Sequence, residues 1–263
     1  MSTLNSSLNA EVSAGQPNVR KIGLADLRDV LRKGINDFAA MPTHSMFLIV
    51  IYPIVGIILL RLSFGYDVLP VVFPLVAGYA LLGPLAAVGL YEMSRRREQG
   101  LPHNWEALRV FNLLRVRSIA TLGLILMVIF LAWLVAAMIV YRNTFGTWTP
   151  DSIVEFGRLL FTTTAGWTLI IVGCGVGFFF ALASFTVGVV SFPMLVDRDV
   201  GVVTAIQTSI RAVAANPVTM AVWGLIVAGA LVIGSLPVLI GLTVVLPVLG
   251  HSTWHLYRKL VEW

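Results

Sequence analysis

Apolar runs of membrane length alternate along this chain with short clusters of charge. No Asp, Glu, Lys or Arg lies between Arg117 and Arg142, between Arg158 and Asp197, or between Arg211 and Arg258. The last of these gaps holds 46 residues, enough for two membrane spans at about 20 residues each. Ahead of the first run, residues 20–41 repeat at helical spacing. Ile22, Leu24, Leu27, Val30, Leu31, Ile35 and Phe38 form one face, and Arg28, Asp29, Arg32, Lys33 and Asp37 the other. This pattern predicts an amphipathic helix in the headgroup plane, ended by Pro42.

Six spans follow from the remaining pattern. The first runs from about His44 to Leu60 and the second from about Val68 to Tyr91. Pro70, Pro74 and Pro84 break or kink the second, which is tolerated where neighbouring helices cover the freed carbonyls. Trp105 to Arg117 is a second amphipathic basic segment, and span three is Ile119–Val140. A short interfacial helix starts at Thr149-Pro150-Asp151, between Trp148 and Trp167 at belt depth. Span four, about Thr164–Leu195, is longer than a perpendicular crossing needs and should tilt or project. A third surface helix, about Val200–Ala215, leads to Pro217. Spans five and six are about Val218–Ser235 and Leu239–Leu256, joined by a turn at Leu236-Pro237. The predicted fold is all-α: six transmembrane helices in three hairpins, each preceded by an amphipathic interfacial helix.

Charge sets the sidedness. The run from Val68 stops at Arg95, Arg96 and Arg97, and guanidinium groups do not enter hydrocarbon without a penalty of several kcal/mol, so a boundary falls there. With six spans, the N-terminus, the loops after spans two and four, and the C-terminus hold 15 of the 18 Lys and Arg residues. Only Arg61, Arg142 and Arg158 fall on the other side. Positive charge marks the cytoplasm, so both termini are expected inside. Composition agrees: 58% of residues are hydrophobic and 12% charged, against about a quarter charged in soluble domains. Residues 1–19 lack a basic segment followed by an apolar core, and read as a disordered cytoplasmic tail rather than a signal peptide. The one cysteine, Cys174, has no partner for an intramolecular disulfide.

The prolines expose a repeat within the single domain of 20–263. Ala39-Ala40-Met41-Pro42 matches Ala214-Ala215-Asn216-Pro217, and Leu69-Pro70 stands to Leu90-Tyr91 as Leu236-Pro237 stands to Leu256-Tyr257. Repeat-like units at 20–97 and 199–263 share one plan, which 104–198 follows loosely. They are parallel rather than inverted.

The run Gly89-Leu90-Tyr91-Glu92-Met93-Ser94-Arg95-Arg96-Arg97-Glu98-Gln99-Gly100 resembles an uncharacterised family of bacterial integral membrane proteins, domain-of-unknown-function family 2189. Gly34 to Phe38, Phe192 to Arg198 and His251 to Arg258 look like the same family, so the resemblance runs from about residue 20 to the C-terminus. It implies a polytopic inner-membrane protein and carries no activity, substrate or catalytic residue.

Chemistry is sparse in the sequence. His251 and His255 share a helix face at the spacing that can hold one metal ion, with His44 and Glu92 as further weak candidates. The blander reading gives them interfacial hydrogen bonds, and pairs Glu92 with Arg95 and Arg96 at helical ion-pair spacing. No carboxylate or histidine lies at mid-span for cation coupling, and neither a catalytic set nor a cofactor is expected. Arg95, Arg96, Arg97, Arg115 and Arg117 are expected to meet anionic lipid headgroups, whereas nucleic acid is not an expected partner. Small residues at Gly83 and Ala87, Gly173 and Gly177, and Gly224 and Ala228 are expected to pack helices closely, within the monomer, in a homo-oligomer or against other inner-membrane proteins. The leading expectation is a non-enzymatic interaction or assembly factor. The alternative is a carrier or channel for a small neutral or lipophilic solute, with a haem or metal-binding membrane enzyme last.

Overall fold

The computed structural model describes residues 17–41, 74–75, 78, 80–101, 113–148, 152–236 and 240–263. Predicted span one, His44, His103, Arg61, Arg109, Pro42, Pro70, most of the tail and the Thr149-Pro150-Asp151 start lie outside them.

The described elements are helical apart from one minimal strand pair. In chain order they are β1 (Asn18–Val19), α1 (Leu24–Ala40), a 3-10 turn (Ala80–Leu82), α2 (Gly83–Ala86), α3 (Val88–Glu98), α4 (Leu113–Phe145), α5 (Ile153–Thr162), α6 (Thr164–Gly188), α7 (Ser191–Asp197), α8 (Val202–Ala215), α9 (Pro217–Ser235), α10 (Leu242–Leu260) and β2 (Val261–Glu262). The strands pair antiparallel, Asn18 opposite Glu262 and Val19 opposite Val261. Two residues assigned by sequence to a free tail are therefore paired with the end of the chain.

Among the described residues three stretches are long and apolar enough to cross a membrane: Leu113–Phe145, Thr164–Asp197 and Pro217–Ser235. Six crossings are not seen in them. In the stretch expected to form the sixth span, the second half of α10 is covered by protein: His251, Ser252, Trp254, Leu256, Tyr257 and Leu260 are all buried. Elsewhere apolar residues point outward, including Leu124, Val128, Val135 and Ile139 on α4 and Ile171, Phe178 and Phe179 on α6. These are surfaces that suit lipid and not water.

Irregular backbone in such a bundle must have its polar groups met by protein. Around the broken second span, Trp133 Nε1 donates to Pro74 O at 2.9 Å and Ser184 Oγ to Leu81 O at 3.0 Å. The expected repair by neighbouring helices is thus present. Where α6 gives way to α7, ahead of Pro193, Ser209 of α8 enters the broken ladder. Its Oγ donates to Thr186 O at 2.6 Å and accepts from Val190 N at 3.2 Å, one of the ordinary causes of a helix break.

The core lies at the charge-bearing end, where α1 runs along α10 and α3, α7 and α8 pack beside them. Here the predicted faces of α1 need correction. Its buried stripe is Leu27, Val30, Gly34 and Asp37, so Asp37 points inward, while Leu24 and Ile35 are 54% and 52% exposed. The helix takes another helix, rather than headgroups alone, as its partner. A Cβ on Gly34 would coincide with Ser252 of α10, so glycine is what permits this approach. At both matched Ala-Ala-X-Pro sites the residue before proline leaves the α region, as proline demands, with nearly the same backbone: φ −135°, ψ 45° at Met41 and φ −130°, ψ 50° at Asn216. The Asn216 amide then accepts from Ile22 N at 2.8 Å and donates to Arg20 O at 3.0 Å, tying the segment before α1 to the α8–α9 elbow.

A Gly34→Val substitution should force α1 off α10, at a cost of about 2 kcal/mol or more for overpacking. Thermal unfolding in detergent, followed through tryptophan emission (Trp254 is buried on the same helix as Ser252), should show a lower midpoint, while Gly224→Val, where a Cβ meets none of the described residues outside its own helix, should shift it far less.

Candidate functional site

The polar residues of the described structure converge where α1, α3 and α10 meet. Asp37 is 6% exposed and Ser94 and His251 are fully buried. A buried carboxylate persists only if paired and fully hydrogen-bonded, and Asp37 is both. Its Oδ1 accepts from Arg97 Nη1 at 2.7 Å, and its Oδ2 from Ser94 Oγ at 2.6 Å and His255 Nε2 at 2.9 Å. Ser94 Oγ also lies 2.8 Å from His251 Nδ1. Burial alone would raise the Asp37 carboxyl, but the hydrogen bonds from His255 and Ser94, with the neighbouring imidazoles, hold it below the usual carboxylate range.

α3 supplies this cluster because its short register turns successive residues to different partners. Glu92 is 1% exposed and binds Arg95 at 2.7 Å and Arg96 at 3.0 Å, the i+3 and i+4 pairing expected from the sequence. Ser94 and Arg97, one turn apart, reach Asp37. Glu98 receives Trp254 Nε1 at 3.1 Å and Arg258 Nε at 3.2 Å. Arg258 also approaches Asp197 at 3.6 Å, and Tyr257 Oη donates to that carboxylate at 2.8 Å. Along the N-terminal half of α1, Lys259 Nζ binds Asp26 at 2.8 Å and Asp29 at 3.0 Å. Those bonds, Lys259 first, lower both carboxyls.

The expected site residues distribute as follows. His251 and His255 take separate partners, and among the described residues no three His, Cys, Asp or Glu side chains gather to hold a metal ion. Both carboxylate oxygens of Glu92 are engaged by arginines. Arg95 and Arg96 are mostly covered and Arg97 is half-buried, whereas Arg115 is half-buried and Arg117 exposed. Of the small residues, Ala87 is buried beside Gly250, and a Cβ on Gly177 would stand 3.0 Å from the Trp133 ring. A Cβ on Gly83, Gly173 or Gly224 would meet nothing within 4 Å, and Ala228 is exposed.

Asp37 and Ser94 were not singled out in the sequence, although signals for them exist. Asp37 continues the Leu27, Val30, Gly34 spacing by one further step, and Ser94 stands one turn before Arg97 on the same helix.

Outward-facing apolar helices around a paired, charged end define an integral membrane protein. Residues 72–197 match the model of the family described as a predicted integral membrane protein (DUF2189), which assigns that stretch of the chain to the family the 89–100 run resembles. The match is narrower than the resemblance: Gly34 to Phe38 and His251 to Arg258 lie outside it, yet both pack on the matched α3. No curated protein and no solved structure matches the chain.

The pH dependence follows from the lowered carboxyls of Asp26, Asp29 and Asp37. Their stabilisation is complete above the unfolded value of about 3.9 and is lost as pH falls through the folded values. Hydrogen exchange of residues 24–40, corrected for intrinsic rates, should be flat from neutral pH to about 5 and accelerate below about 3.5. Asp37→Asn should accelerate it already at neutral pH, because Arg97, Ser94 and His255 then lose the carboxylate to which all three bond.

Proposed function

We propose that this protein is a non-enzymatic interaction or assembly factor for other proteins of the bacterial inner membrane, a six-span bundle with both termini in the cytoplasm. The observation that carries this reading is the open small-residue side of α6. An apolar notch of about 210 Å³ lies between α4, α6 and the turn before α2, lined by Gly78, Leu81, Trp133, Gly173, Gly177 and Ala181, with Cys174 at its edge. Where a Cβ would stand on Gly173 or Gly175, no atom of the described residues beyond the local helix backbone lies within 4 Å. Such a notch admits the ridge of another helix, because small residues let backbones approach within van der Waals reach.

Same-sided termini are supported by the β1–β2 pair. Residues 18 and 262 are neighbours, so the chain between them crosses a bilayer an even number of times. The Lys and Arg distribution favours the cytoplasm as their side.

Cys174 makes the proposal directly testable. A cysteine-reactive crosslinker applied to intact membranes should capture a defined protein partner through Cys174. Because a Cβ at Gly173 meets none of the described residues beyond the local helix backbone, Gly173→Leu should leave the melting temperature nearly unchanged and abolish capture. Capture that survives Gly173→Leu, or labelling of lipid alone, contradicts the assignment. Independently, a phosphatase fused behind Trp263 should be inactive and a fluorescent protein there should be bright.

A further inference from the structure

The charged end contains a second cavity that the structural pairing does not use up. It has a volume of about 330 Å³ and lies between α1, α3 and α10, lined by Lys33, Asn36, Asp37, Ser94, Arg97, Glu98 and His255. Its two carboxylates suggest a cation site at first sight, but both are spent. Asp37 accepts from Arg97, Ser94 and His255, and Glu98 from Trp254 and Arg258. The donors are not spent. Arg97 uses only Nη1, on Asp37 Oδ1 and on Asn36 O, both at 2.7 Å. Its Nε and Nη2, the two N–H groups that share one edge of the guanidinium, have no partner among the described residues. Lys33 is half exposed and holds only Asp29, at 3.2 Å, which leaves N–H groups of its ammonium unused.

We infer that this cavity binds a phosphate group, with the free Nε/Nη2 edge of Arg97 taking two non-bridging oxygens side-on and the Lys33 ammonium adding a second positive charge to the same group. A flat guanidinium fork matches a pair of non-bridging phosphate oxygens bidentately, and an ammonium beside it acts as a point charge. Arg97 suits the task because Asp37 and the Asn36 carbonyl already hold its other edge, so little side-chain freedom is lost on binding. A phospholipid headgroup and free phosphate both present this group. The exposed Ile35, on α1, and Leu101, three residues past the end of α3, provide apolar surface for the start of an acyl chain.

Calorimetric titration of the full-length protein in an uncharged detergent separates the sources, using inorganic phosphate and short-chain phosphatidylglycerol as probes. A single saturable site is expected for at least one probe. Binding of both means that the phosphate alone suffices, whereas binding of the lipid only means that the headgroup and chain are needed. Arg97→Lys keeps the charge beside Asp37 but removes the fork, and should weaken binding about tenfold, as loss of one charge-assisted hydrogen bond does. Lys33→Gln, away from the buried cluster, should weaken it about fivefold and decides the matter if Arg97→Lys does not fold. Arg28→Gln, an exposed cation on α1 that does not line the cavity, should change nothing. Absence of saturable binding by either probe overturns the assignment. So does a loss in Arg28→Gln equal to that in Lys33→Gln, because the attraction would then be general surface charge.

Discussion

Aspartate has a short side chain, one methylene between backbone and carboxylate, and Asp37 must receive donors from α3 and α10 at once. That reach sets how closely the three helices lie. Three donors within 2.6–2.9 Å of its oxygens require α1 to press against α10 over the preceding turn, and Gly34, three residues earlier, makes this possible by presenting no Cβ to Ser252. Closeness is therefore imposed by electrostatics and permitted by sterics. Neither residue suffices alone: a longer carboxylate would not need the glycine, and the glycine without the carboxylate would only weaken its helix.

The same logic of obligatory partners governs the apolar end, with opposite chemistry. In hydrocarbon no water is at hand for a carbonyl freed by a proline or a helix break. Three carbonyls near such breaks are met by a hydroxyl or indole from another helix: Leu81 by Ser184, Pro74 by Trp133, Thr186 by Ser209. The hydroxyls in the apolar runs thus act between helices at the breaks and back-bond within their own helix elsewhere, as Thr162, Thr168 and Ser235 do. The interhelical hydroxyls thus stand where the ladder fails.

What could be read in advance follows from which partner each segment has. Spans whose partner is lipid are apolar over their exposed length, and α4, α6 and α9 were legible for that reason, as was the Glu92 pairing, which is local to one helix. α1 was misread because its partner is a helix with polar residues of its own. An amphipathic pattern reports a buried face, but it does not say whether lipid or protein covers that face, and only a protein cover makes Asp37 an inward residue. That protein covers the second half of α10 was not legible for the converse reason. His251, Ser252 and His255 dilute its hydrophobicity, yet the residues between them are apolar enough to resemble a membrane segment. A contact between residues 37 and 255 or between 34 and 252 leaves no mark in local periodicity.

The charged end also shows how one side chain can serve folding and recognition without conflict. Arg97 has two usable edges. The Nη1 contact to Asp37 and Asn36 O belongs to the fold, since removing it strands a buried carboxylate. The Nε/Nη2 edge contributes nothing to that pairing and is left over because the carboxylates nearby have found other donors. The asymmetry is electrostatic in origin: a cluster that satisfied every donor would have no affinity for an anion, and one with a spare carboxylate would repel it. Trp254 and Arg258 therefore matter to the cavity without needing to touch its contents, because by occupying Glu98 they turn a mixed-charge pocket into one whose remaining capacity is donation.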